Sequence, residues 1–218
     1  TLPQRMPLYY EGIVGGSSAM RFSGLAIGQV RNQGVVARIA PRDAEGRPIF
    51  SRAFSDADLQ LVRTRVLHQC DARDGLADGM INDWRGCDFD PAGLTCRPGQ
   101  TSDCLSSAQV DALSDLYAGP RTADGSHVYG PFTFDTGIAS SAWRGIKLGT
   151  SPTGVPNSGD STLGTGQLRY LQLSPPDPAF DPLAAWDLES ILQRVRSTAA
   201  MAEAESPYLS TFAQEGKM

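Results

Sequence analysis

A chain of 218 residues and 23.3 kDa, 40% hydrophobic and 20% charged, can bury a sizeable core and is too apolar to be disordered. Its formal charge of −5 and pI near 5.0, with no block of Lys or Arg, argue against nucleic acid as a partner, because phosphate binding needs a basic patch. No apolar run approaches the ~18–20 residues of a membrane span, so no membrane partner is expected.

In chain order, residues 1–19 read as a helix end followed by a short apolar strand, Gly12-Ile13-Val14, that runs into Gly15-Gly16. From Met20 to Ile39 the apolar residues Phe22, Leu25, Val30, Val35, Val36 and Ile39 recur at helical spacing, broken by Gly28 and Gly34. Asp43 to Pro48 is a turn. Ser55-Asp56-Ala57-Asp58 is a capping-box variant that opens a helix with Leu59, Val62, Val66 and Leu67 on one side. Ser106 and Gln109 form a second capping box, followed by Val110, Leu113 and Leu116 and stopped by Gly119-Pro120. Asp124-Gly125 marks a turn and Tyr129 to Phe134 an extended aromatic piece. Residues 150–166 read as a mobile-looking loop with almost nothing to bury. Pro175, Pro176, Pro178 and Pro182 set an extended connector, and residues 183–202 a final helix carrying Trp186, Ile191 and Val195.

Four cysteines, at 70, 87, 96 and 104, share one window that contains no histidine and no CxxC, which argues against zinc. Pairing in sequence order, Cys70 with Cys87 and Cys96 with Cys104, closes two short loops; four buried thiols are the alternative. Disulfides imply an oxidising compartment, the periplasm or the cell exterior. Directly after Cys70, the stretch CDARDGLADG places Asp71, Asp74 and Asp78 among Gly75 and Gly79. Carboxylates and carbonyls on such a bend suit a hard cation such as calcium, though the spacing is not that of an EF-hand. The competing reading is a solvated surface loop that uses Asp and Gly for turns.

Catalytic residues are harder to find. His68 falls in the last turn of its helix, where a cation-capable side chain suits the dipole, and His127 follows a turn. No GxSxG elbow exists in the chain, so structural or surface roles are expected for both.

Several stretches, in order, carry a family resemblance: QRMPLYYEGIVGG at the start, Phe54-Ser55-Asp56-Ala57-Asp58-Leu59, CDARDGLADG, Cys87-Asp88-Phe89-Asp90-Pro91, Asp103-Cys104-Leu105 with Gln109-Val110, and Ala118-Gly119-Pro120. Together they resemble the tannase/feruloyl esterase family of α/β-hydrolases, in which a large lid is inserted between the nucleophile Ser and the acid of the triad. The resemblance implies an α+β chain, mostly a helix-and-loop lid domain at 20–204, with slivers of hydrolase core at 1–19 and 205–218. The final stretch from Leu209 then returns to that core as helix and strand. The Ser is expected some ten residues before Thr1, and the Asp and His beyond Met218.

By the same resemblance, Asp71, Asp74 and Asp78 with the carbonyls of Leu76 and Met80 fall on the family's calcium ligands, and the cysteines on its two lid disulfides. Phe22, Leu25 and Ile146 match substrate-pocket positions; ordinary core is the competing reading for them. A lid arginine that takes a substrate carboxylate in members acting on terephthalate monoesters has no counterpart in the Gly/Ser stretch around Gly159 to Gln167. Arg144 and Arg169 are the candidate substitutes. The implied function is the substrate-binding segment of a secreted or periplasmic serine esterase acting on aromatic carboxylic esters, terephthalate monoesters among them. Its partners are then the ester and the remainder of the hydrolase core. A free-standing calcium-stabilised binding module is the alternative.

Overall fold

The computed structural model describes residues 2–16, 19–206 and 208–215, with the side chains of Leu2 and Pro3 left out. Eight α-helical segments run through it: α1 (Leu2–Arg5), α2 (Phe22–Ile39), α3 (Asp56–Cys70), α4 (Ser107–Ala118), α5 (Ser141–Lys147), α6 (Thr165–Gln167), α7 (Leu188–Ala202) and α8 (Ser210–Gln214). The three-residue α6 lies between two π-helical turns, Asp160–Gly164 and Leu168–Gln172.

Among the described residues there is no β-strand, only isolated bridges at Arg42/Pro48, Thr95/Leu105 and Arg121/His127. The strand expected at Gly12-Ile13-Val14 is therefore absent. A strand is held by its ladder, and no described segment pairs with this one; Val14 is fully exposed. The helix expected after Leu209 is present as α8, and the strand that was to follow it runs into residues 216–218, outside the described set. The two ends of the chain meet: Gln4 and Arg5 donate to the carbonyls of Ser206 and Ala200, and Arg21 pairs with Glu205.

The central element is α2, and it runs unbroken through both of its supposed breaks. Two apolar clusters flank it. Val35 and Val36 join Phe50, Phe54, Leu59, Val62, Leu113 and Ile138 in one; Ile27 and Val30 join Leu168, Leu173, Ile191 and Val195 in the other. A helix packed on several sides gains enough from burial to outweigh the ~1 kcal/mol that an interior glycine costs. Gly24 and Gly28 also have a packing reason. A Cβ on Gly24 would lie 2.7 Å from the Val128 carbonyl, and one on Gly28 would touch the Tyr129 ring.

Both capping boxes form as expected. Ser55 Oγ accepts from Asp58 N–H while Asp58 accepts from Ser55 N–H, and Ser106 and Gln109 repeat the exchange. Gln109 Nε2 then donates to Asp58 and to the Ala53 carbonyl, tying the start of α4 to the start of α3. The two disulfides are Cys70–Cys87 and Cys96–Cys104.

Two other expectations need correction. The final helix starts at Leu188, not 183, because Asp187 caps it by accepting from Ser190 N–H at 2.7 Å. Trp186 precedes it, its indole donating to the Pro182 carbonyl. More consequentially, residues 150–166 are not a loop throughout. Asn157 Oδ1 fastens 150–157 by accepting from the N–H groups of Thr150 and Ser151. From Ser158 onward the chain is helical and pressed on α2, with Ser158, Asp160, Gly164 and Thr165 buried. Gly164 permits this approach, since its Cβ would sit 2.5 Å from Gln29 Cβ.

Candidate functional site

A cleft of about 270 Å3 opens between α2, the end of α4, α5 and the π-helical segment. Gly119 ends α4 with φ +70°, and Pro120 sends the chain out through the Asp124-Gly125 turn. The chain returns with Val128 N–H on the Pro120 carbonyl and Phe132 N–H on the Tyr117 carbonyl, which sets Tyr129 and Phe132 in the cleft wall. Across from them, Ser140 caps α5 by accepting from Trp143 N–H. Trp143, Ile146 and Lys147 stand at i, i+3 and i+4, one face of that helix, and all three line the cleft. A recess of about 220 Å3 shares Leu116, Phe132, Trp143 and Lys147 with it and adds Tyr117 and Asp135.

Of the three expected pocket residues, the fold brings Leu25 and Ile146 into this one cleft. Phe22, half-buried at the start of α2, does not line it. Neither arginine reaches it either. Arg144 donates to the carbonyls of Ser51 and Phe54 and pairs with Asp56 at 2.8 Å; Arg169 donates to the Phe180 carbonyl. The cation of the cleft is Lys147, whose Nζ lies 3.2 Å from Asp160 Oδ2. Asp160 is 1% exposed, and Asn32 Nδ2 donates to the same oxygen at 2.9 Å. Burial pushes the Asp160 carboxyl above the usual carboxylate range, with Lys147 and Asn32 offsetting part of the effect.

Sequence reasoning missed both members of this pair. The signal for Lys147 was its helical spacing from Trp143; for Asp160 it was a lone acid in a Gly/Ser-rich stretch. Among the described residues the cleft wall holds no serine and no histidine. His68 is exposed, and His127 lines a separate groove with Arg21 and Glu203.

The acidic loop is a tight structure of its own. Asp71 Oδ1 accepts from Gly79 N–H, Asp78 Oδ1 from Met80 N–H, and Asp74 from both Leu76 and Asn82 N–H. Those N–H groups, Asn82's first, hold the Asp74 carboxyl below its ordinary value. The Cys70–Cys87 bond closes the loop, and Arg73 pairs with Asp88 across it. Among the described residues no three Asp, Glu, His or Cys side chains converge closely enough to hold a metal ion. Among the described residues, Asp71 and Asp78 each engage one carboxylate oxygen with the backbone, so oxygen donors suited to a hard cation remain on both.

The family described as tannase and feruloyl esterase matches the chain across residues 1–218. The mono(2-hydroxyethyl) terephthalate hydrolase of Piscinibacter sakaiensis is 35% identical over 176 residues, 72% of this chain and 29% of that protein. A probable feruloyl esterase B of Emericella nidulans is 31% identical over 130 residues, covering 59% of this chain and 23% of its own. Among solved structures, feruloyl esterase B from Aspergillus oryzae superposes with a TM-score of 0.74 at 21% identity, over 99% of this chain and 39% of that one. The chain thus spans well under half the length of the relatives it matches.

Proposed function

Because this chain belongs to the tannase and feruloyl esterase family, we propose that it is the lid of a serine esterase and supplies the wall against which an aromatic carboxylic ester is held. The observation that carries this reading is the cleft: one concave surface of Leu25, Tyr129, Phe132, Trp143 and Ile146 with a small polar end. Burying a flat ring there removes on the order of 150 Å2 from water, roughly 4 kcal/mol before the cost of immobilising it. The wall fixes the acyl group and keeps bulk water from it. Under this reading the nucleophile, base and acid come from polypeptide outside these 218 residues. Ser attack there forms an acyl-enzyme that water releases, with His as base.

Calcium is part of the proposal. Asp71, Asp74 and Asp78, with the carbonyls of Leu76 and Met80, would supply an all-oxygen donor set, drawn together by the ion on a loop already closed by a disulfide. The ion would stiffen the loop that follows α3 and takes no part in the chemistry. The two disulfides fit an oxidising compartment, and we place the parent enzyme in the periplasm or outside the cell. Among the described residues no helix is long and apolar enough to cross a membrane.

The test compares the 218-residue chain with the full-length polypeptide that carries it. The full-length protein is expected to hydrolyse methyl ferulate, and Trp143→Ala to raise KM for that ester far more than for an aliphatic one. The chain alone is expected to hydrolyse neither. Turnover by the chain alone would refute the lid assignment, and a Trp143→Ala effect equal on both esters would refute the role of the cleft.

A further inference from the structure

Helix α5 carries one wall of the cleft, yet little of its own holds it there. It has seven residues, too few to be stable in isolation, and none of them is fully buried. Trp143 packs half-buried against the first apolar cluster, and Leu148, just past the end of α5, is buried in it. Polar tethers supply the rest. Arg144 donates to the Ser51 and Phe54 carbonyls, and Lys147, the last residue of the helix, reaches Asp160 Oδ2 at 3.2 Å.

That oxygen joins three elements. It accepts from Lys147 on α5 and from Asn32 on α2, while the Asp160 carbonyl accepts from Gln33 Nε2 at 2.9 Å, which fixes the 158–172 segment to α2 as well. The other acid near Lys147, Asp135 in the adjoining recess, has its Oδ1 engaged by the Gly137 N–H. Backbone packing brings the same elements together: a Cβ on Gly159 would lie 3.3 Å from Ile146 Cα, so α5 rests directly on the segment that carries Asp160. Breaking a buried ion pair leaves an uncompensated charge, which gives such a tether more hold than a surface pair has.

We propose that Asp160 is the positioning residue of the cleft: through Lys147 and Asn32 it sets the spacing between the α5 wall, Trp143 and Ile146, and the α2 wall, Leu25. The assignment rests on the lid reading above and adds what holds the cleft to its width. Asp160 acts on a bound ester through the helices it ties and takes no part in the reaction.

The experiment uses the full-length enzyme as parent, Asp160→Asn, Lys147→Met and the double variant, with two readouts. Amide hydrogen exchange over residues 141–147 reports the hold on α5, and the kinetics of methyl ferulate hydrolysis report the cleft. Loss of a hydrogen bond to a charged group corresponds to about tenfold at the least. Each single variant is therefore expected to lower the protection of the α5 amides by about tenfold and to raise KM by a similar factor, with kcat little changed. The double variant should be no worse than the worse single one, because both remove the same bond. Unchanged protection of α5 in both single variants overturns the assignment whatever the substrate. Exchange that rises equally across α3, α4 and α5 marks a general loss of stability and overturns it too. Faster exchange in α5 with an unchanged KM overturns the hold on the cleft, and additive effects in the double variant overturn the route through Lys147. If the parent turns over no aromatic ester, the aromatic-ester reading falls, and the exchange data alone decide whether Asp160 positions α5.

Discussion

Adding one methyl group at two glycines should move stability in opposite directions. Gly119 has φ +70° and ψ 177°, a region that only glycine occupies without strain, so Ala there costs on the order of 1–3 kcal/mol in backbone energy. Its Cβ would also lie 2.1 Å from the Tyr129 carbonyl oxygen. Relieving that overlap means parting the end of α4 from the 128–132 segment, an overpacking cost of about 1–3 kcal/mol more. Gly34 is interior to α2, has helical φ, and among the described residues has nothing within 4 Å of the position its Cβ would take. Ala there removes only the glycine entropy cost and stabilises by about 0.5–1 kcal/mol. At roughly 2–4 °C per kcal/mol for a chain of this size, Gly34→Ala should melt about 1–4 °C above the parent and Gly119→Ala at least about 4 °C below it. Thermal unfolding followed by circular dichroism at 222 nm gives both numbers. If the cleft holds an aromatic ester as proposed, Gly119→Ala should also raise KM for it, because Tyr129 and Phe132 move with the displaced segment. A Gly119→Ala melting point indistinguishable from the parent would refute the close approach to the Tyr129 carbonyl, and a Gly34→Ala melting point below it would refute the open space at Gly34.

The remaining predictions concern the loops and the acids. Replacing Cys70 and Cys87 by Ser releases a separation of 17 residues and should cost about 3 kcal/mol by the chain-entropy relation, against about 2.5 kcal/mol for Cys96 and Cys104 at a separation of 8. Urea unfolding of each pair variant tests that order, and a larger loss from the shorter loop would contradict it. If the acidic loop holds calcium, chelation should lower the melting temperature by an amount equivalent to ~2.7 kcal/mol when the free ion had been at about 100 times its Kd. An unchanged melting point together with no calcium by elemental analysis rules the ion out. For Asp43, desolvation works against ionisation but is outweighed by the N–H and guanidinium of Arg47 and the N–H of Gly154, which hold the carboxyl down to about 2 from an ordinary 3.8. A depressed folded value means that its stabilisation is present above 3.8 and is lost as pH falls through 2, so Asp43→Asn should flatten acid unfolding in that window. An acid transition of the same steepness in Asp43→Asn would refute this.

Local signals in the sequence sufficed for two helix starts and for the disulfides, where the governing interaction was itself local. Ser55 with Asp58 and Ser106 with Gln109 predicted two helix starts that the structure contains, because a capping box is closed within three residues. The cysteine order predicted both disulfides, since short loops pair most readily with their neighbours. The family, too, was readable from the stretches around those cysteines. Gly28 and Gly34 could not be judged that way: whether an interior glycine breaks a helix depends on what packs around it, and α2 is held by two cores. Asp160 was hidden for a related reason. Apolar periodicity detects burial by the hydrophobic effect, but Asp160 and Thr165 are held against α2 by its polar side chains, Asn32 on the Asp160 carboxylate and Gln33 on the Asp160 carbonyl and on Thr165. Leu25 and Ile146 lie far apart in the chain, and the cleft they share exists only where α2, α4, α5 and the 158–172 segment converge. Such convergence is set by the packing of distant elements, and no window of the sequence contains it.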